Sequence, residues 1–96
     1  MTKIKKVIQS PLFERQKRKL KKNQISYLDK AIQLIFDNPR IGVQKTGDLK
    51  GIYIYKFKIN NAQLLIGYEI SKDTILLYTF GSYENFYREL KKYRYR

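Results

Sequence analysis

Apolar residues recur along this chain first with helical spacing and then with strand spacing. Leu28, Ala31, Ile32 and Ile35 fall at i, i+3, i+4 and i+7, which predicts an amphipathic helix from about Gln24 or Ser26 to Asp37. Asn38-Pro39 ends it, because proline disfavours helical geometry in the residue before it. Upstream, Ser10-Pro11 reads as an N-cap followed by proline at the first helical position. That helix is expected to run to about Lys22, with Leu12, Phe13 and Leu20 as its few apolar residues and Asn23 as the break. So short a link predicts an antiparallel helical hairpin. Before it, Lys3–Gln9 alternates weakly through Ile4, Val7 and Ile8 and reads as a first strand.

From Ile52 the period changes to two. Ile52–Ile59, Ala62–Ile70 and Thr74–Phe80 read as strands, separated by tight turns at Asn60-Asn61 and Ser71-Lys72-Asp73, so an antiparallel meander is expected. Residues 39–51 have no such period and read as a loop. A last helix is predicted from about Tyr83 to Tyr93, with Phe86 and Leu90, four apart, as its core anchors. The fold class is therefore α+β, in the order β-α-α-β-β-β-α, with residues 1–96 as a single domain. In the first meander strand Tyr53, Tyr55 and Phe57 share one face, expected to meet the helices. Ile52, Ile54, Lys56 and Lys58 share the other. Lys56 and Lys58 then stand side by side, roughly 7 Å apart at their Cα atoms. Two ammonium groups so placed suit an anion between them, although a solvated strand face also carries such a pair.

Charge sharpens the picture. The chain has 21 Lys and Arg against 8 Asp and Glu, a net charge of +13 that costs self-repulsion and attracts polyanions. This favours a nucleic-acid, ribosomal or acidic-protein partner. No basic segment has a continuous apolar stripe opposite it, and no stretch approaches the roughly 20 apolar residues of a membrane span, so no membrane partner is expected. The first residues, MTKIKKVIQSP, lack the apolar core of a signal peptide, and a cytoplasmic location is expected. With no cysteine and no histidine, zinc sites built on those ligands and imidazole acid–base chemistry are excluded. No cofactor or metal is called for.

The segment GSYENFYRELKK, Gly81 to Lys92, places aromatic, acidic, amide and guanidinium groups at a strand-to-helix junction. Together with DNPRIG (Asp37–Gly42) and GDLKGIYIYKFK (Gly47–Lys58), it resembles the RelE/ParE family of bacterial toxins, the toxin half of type II toxin–antitoxin pairs. The resemblance covers nearly the whole chain. It implies a twisted antiparallel sheet packed on a two-helix hairpin, closed by a short C-terminal helix. It also implies an antitoxin partner, acidic and encoded next door, and one of two targets. RelE-like members cut mRNA in the ribosomal A site; ParE-like members inhibit DNA gyrase and cut nothing.

On this resemblance Lys56 and Lys58 match paired lysines that contact phosphate in the RelE-like ribonucleases. The next strand has Leu65 where those members carry an arginine, and Tyr83 stands where one branch carries histidine. Glu84, Asn85, Phe86, Tyr87 and Arg88 match as they stand. The implied reaction is metal-independent: the 2′-hydroxyl attacks the adjacent phosphorus. It needs a base, positive charge on the phosphorane and an acid for the leaving oxygen. Lys56, Lys58 and Arg88 are the candidates for charge, Glu84 for the base, and Tyr83 and Tyr87 for stacking or orientation. Without histidine, the acid falls to a lysine or to water polarised by arginine. Glu84 and Arg88, four apart, also read as a simple helical ion pair. Arg15, Lys17, Arg18, Lys19, Lys21 and Lys22 read as a docking face for RNA or the ribosome. Lys91, Lys92 and Arg94, in the basic tail KKYRYR, read the same way.

Overall fold

The structure, a computed structural model, describes residues 3–94; of Tyr93 and Arg94 only the backbone is considered. The elements are β1 (Lys6–Gln9), α1 (Pro11–Arg18), α2 (Lys22–Asp37), β2 (Val43–Gln44), a 3-10 turn (Gly47–Leu49), β3 (Ile52–Ile59), β4 (Ala62–Ser71), β5 (Thr74–Gly81) and α3 (Tyr83–Arg94). They form a five-stranded sheet in the order β1-β5-β4-β3-β2. β3, β4 and β5 make the antiparallel meander that the period-two pattern predicts, while β1 joins β5 in parallel, so the sheet is mixed. The helical hairpin covers one face and α3 the other.

Several boundaries differ from the sequence-based expectation. The first helix stops at Arg18 rather than Lys22, and the break falls at 19–21, not at Asn23, which lies inside α2. The Gln24 side chain explains the shift: its Oε1 accepts a hydrogen bond of 2.8 Å from the Lys21 backbone N–H and so caps α2. Lys17 Nζ, 3.0 Å from Asp29 Oδ1, ties the two helices. The first strand begins at Lys6, not Lys3, although Ile4 is buried and the Lys5 N–H donates to the carbonyl of Asp73. The loop 39–51 holds the two-residue strand β2, which pairs with β3 through Val43 and Ile54. At the β3–β4 turn only Asn60 takes a positive φ, 57°.

The core has two parts, one on each face of the sheet. Under the hairpin, Phe13, Leu28, Ala31 and Ile35 pack on Tyr53, Ile66, Tyr68, Ile75, Leu77 and Phe80, with Tyr55 and Phe57 at the margin. The Phe13 and Phe80 rings lie 4.9 Å apart. The aromatic row of β3 thus faces the helices, as its alternation predicts. Tyr68 also fixes the loop after α2. Its hydroxyl donates to the Pro39 carbonyl (2.6 Å) and accepts from the Gly42 N–H (3.1 Å). A Cβ at Gly42 would lie 2.8 Å from that hydroxyl and 3.0 Å from the Ile54 carbonyl oxygen, so only glycine fits. This gives the DNPRIG segment a packing role.

On the other face Phe86 and Leu90 pack on Ile52, Ile54 and Leu65, as the i, i+4 spacing predicts. Gly67 makes this possible. A Cβ there would lie 2.8 Å from Phe86 Cζ and 3.0 Å from Cε1. β4 shifts register at this point, with Gly67 opposite Thr79 but Tyr68 opposite Leu77, which is a β-bulge.

Two outcomes follow. Gly67→Ala overpacks the α3 face and is expected to cost about 1–3 kcal/mol, several degrees of Tm by thermal melts followed by circular dichroism. Combining it with Phe86→Leu should give less than the sum of the two losses, since both act in one contact. For Tyr68, burial pushes the phenol up to about 12 from 10, against the lowering effect of the Gly42 hydrogen bond. The folded state then holds a proton that the unfolded chain releases, so this stability is complete below pH 10 and is lost as pH rises towards 12. The midpoint of urea unfolding should fall more steeply over that range in the native chain than in Tyr68→Phe.

Candidate active site

Register places the candidate residues. The two-residue turn pairs Ile59 with Ala62, which sets Lys58 opposite Gln63 and Lys56 opposite Leu65; Leu65 in turn pairs with Gly81. Lys56, Leu65 and Gly81 therefore form one row across the sheet, with Lys56 and Gly81 roughly 10 Å apart by strand spacing. Ile52 and Ile54 carry the same β3 face under α3, so Lys56 and Lys58 continue it beyond the helix. Since α3 begins two residues after Gly81, its first turn rises beside that row. The structure thus brings Lys56, Lys58, Tyr83, Glu84, Tyr87 and Arg88 to one side of the sheet.

Lys56 and Lys58 are exposed, and the side chain of neither makes an ion pair or a hydrogen bond among the described residues. Tyr83 is 71% exposed, and its ring centroid lies 4.9 Å from that of the half-buried Tyr87. Tyr87 in turn meets the buried Phe86 edge-on at 5.1 Å, so the core braces an exposed aromatic step. Arg88 does not pair with Glu84. Its Nη2 donates to Asn85 Oδ1 at 2.6 Å, which leaves the Glu84 carboxylate exposed in the first turn of α3. A carboxylate there also favours the helix through its dipole. The cations, the positive end of α3 and the two phenol rings together suit a phosphodiester with an unstacked base.

Leu65 departs from this pattern. It is 2% exposed and packs beneath Phe86 and Leu90, so the row offers core where a cation would extend the charge. Gln63, exposed opposite Lys58 on the same face, is an additional polar neighbour that composition and motif did not single out. The length of the Asn60-Asn61 turn carried the signal, because it fixes the cross-strand partners.

The basic residues do not form one surface. Arg15, Arg18, Lys19, Lys21 and Lys22 are exposed on the helical hairpin, across the sheet from Lys56 and Lys58, and Lys17 is engaged with Asp29. Lys91 and Lys92 lie on α3, with Lys92 3.7 Å from Glu89. The Arg94 side chain, and Tyr95 and Arg96 of the tail, lie outside the described residues. A groove of about 660 Å³ runs between β1 and the hairpin, floored by Val7, Ile8 and Ile25 with Arg18 at its margin. It is separate from the Lys56–Arg88 face. Among the described residues no group of three or more His, Cys, Asp or Glu could hold a metal ion, and no helix is long and apolar enough to cross a membrane.

Known structures share this fold. The chain superposes on a free E. coli RelE toxin, a double-arginine mutant, with a TM-score of 0.69 and 18% identity over 96% of this chain and 98% of that one. The intact E. coli RelBE toxin–antitoxin complex contains a chain matching at TM-score 0.64 and 19% identity, covering 79% of this chain and 93% of that one. YafQ from E. coli BL21(DE3) matches at TM-score 0.52 and 16% identity, over 84% of this chain and 96% of that one. No curated protein sequence matches. Identities this low establish the fold alone. The sequence model of the ParE-like toxins matches residues 7–91, a span that takes in both helices of the hairpin, the meander and most of α3. On that match, the chain belongs to the ParE-like toxin family of type II bacterial toxin–antitoxin systems.

Proposed function

We propose that this toxin is a metal-independent, ribosome-dependent mRNA endoribonuclease that arrests translation. The observation that carries this reading is that Lys56 and Lys58, both exposed, stand on the sheet face that α3 covers, with Lys56 in the row that leads through Leu65 to Gly81 and the start of that helix. Fold-level similarity to RelE and YafQ supports it. In this reading Lys56 and Lys58 hold the scissile phosphate and stabilise the charge that grows on its oxygens. Arg88 supplies a second, bidentate-capable cation. Glu84 takes the proton of the 2′-hydroxyl, and Tyr83, steadied by Tyr87, stacks on the neighbouring base. The basic hairpin, on the opposite face, serves to dock on ribosomal RNA.

As the RelBE complex pairs its toxin with an antitoxin, we assign this chain an acidic antitoxin as partner, complementary to its net charge of +13. A second reading, inhibition of DNA gyrase without catalysis, is favoured by the ParE-like character of the family match and by Leu65 occupying the row beside Lys56 with core.

The test pairs Lys56→Ala with Lys58→Ala. Cleavage of mRNA on translating ribosomes should fall by at least about 100-fold and growth arrest should be relieved, with the circular dichroism spectrum unchanged. If the unmutated toxin stops growth but leaves mRNA intact and relaxes plasmid DNA instead, the ribonuclease reading is wrong and the gyrase reading stands.

A further inference from the structure

β1 ends at Gln9, opposite Leu77, because Ser10 and Pro11 turn the chain into α1. From Tyr78 to Gly81, therefore, the outer edge of β5 has no strand beside it. Backbone polar groups on such an edge need other partners. Side chains of α1 supply them. Ser10 Oγ donates to the Tyr78 carbonyl at 2.6 Å while accepting the Phe13 N–H at 3.0 Å as N-cap. One helix turn and a half farther on, Gln16 Oε1 accepts from the Phe80 N–H at 3.1 Å and from Thr79 Oγ1 at 3.0 Å. A backbone N–H can only donate, so the amide oxygen of Gln16 faces the strand. Thr79 is fully buried, so its hydroxyl depends on this oxygen.

This clasp lies close to the start of α3. It grips β5 at the bulge, where Gly67 pairs with Thr79 and the register shifts. A bulge re-aims the strand that follows it. Moreover, Phe80 is joined to Tyr83 through Gly81 and Ser82 alone, so the direction in which β5 ends sets where α3 begins. Lys56 and Lys58 belong to β3, which β4 separates from that junction.

We infer that Gln16 is a positioning residue for the candidate active site: through the Phe80 N–H and the Thr79 hydroxyl it sets the exit of β5, and with it the placement of Tyr83, Glu84, Tyr87 and Arg88 against Lys56 and Lys58. This rests on the ribonuclease reading only for its effect on rate; the effect on geometry stands apart from it. Gln16 itself touches no reacting group.

Gln16→Leu keeps the bulk and removes the acceptor, whereas Gln16→Glu keeps an oxygen in its place. The two are compared with the unmutated toxin by amide resonances and hydrogen exchange, and by single-turnover mRNA cleavage at saturating translating ribosomes, at a temperature where all three are folded. In Gln16→Leu the Phe80 amide should lose protection and the resonances of 81–88 should shift. The cleavage rate should fall roughly 10- to 100-fold at an unchanged half-saturating ribosome concentration. Gln16→Glu should restore both. A Gln16→Leu protein with unshifted 81–88 resonances overturns the inference, whether or not mRNA is cut. So does a Gln16→Glu protein that behaves like Gln16→Leu, or an undiminished rate where the unmutated toxin cuts. If the unmutated toxin cuts nothing, it is the ribonuclease reading that fails, and the resonances alone decide the role of Gln16.

Discussion

The ring of Phe86 lies against the backbone of Gly67, at a spot where any side chain on the strand would collide with it. With Leu90 it is one of two fully buried side chains among the described residues of α3. The rest of the described helix surface is polar or only partly covered, so this contact sets the helix's height and rotation. Phe86 directed inward leaves Glu84 and Arg88 on the far side of the helix and Tyr87 at the margin, while Tyr83, on the same side as Phe86, is exposed at the first position of α3. The side chains that α3 turns away from the sheet are thus set by a packing constraint.

The other face of the sheet has its own fixed points, and they are polar. Tyr68 holds the Pro39–Gly42 loop by its hydroxyl, and Ser10 and Gln16 occupy the edge that β1 leaves bare. Each satisfies a backbone group that would otherwise be buried without a partner or open to water. The bulge at Gly67 links the two faces: it admits Phe86 on one side and is gripped from α1 on the other. The helical hairpin and α3 are therefore anchored to the same few residues of β5.

Much of this was legible in the chain. Period-two alternation and short turns identified the meander, and the face shared by Lys56 and Lys58 followed from counting along β3. The i, i+4 pair Phe86 and Leu90 marked the buried side of α3. The helical hairpin was less legible, because a run of lysines has no period to mark an end; the break falls before Lys22, where Gln24 caps α2, and not at Asn23. Gly67 was visible as a glycine within a strand, a sign of a bulge or a close approach, yet only the packed helix reveals which. Nor did charge tell which basic residues share a face, since that depends on how β1 and the hairpin cross over to join β5. Leu65 looked like a missing cation; buried under α3, it is a core residue.

The placement of α3 depends on the seat of Phe86 over Gly67. Nuclear Overhauser contacts between the Phe86 ring protons and the α-protons of Gly67, in the isotope-labelled toxin, measure it directly. Strong cross-peaks, together with contacts from the Leu90 methyl groups to Gly67, are predicted. Their absence, with the Phe86 ring seen instead against other residues or averaged in solvent, would contradict the placement of α3 and with it the shared face of Lys56, Lys58, Tyr83 and Arg88.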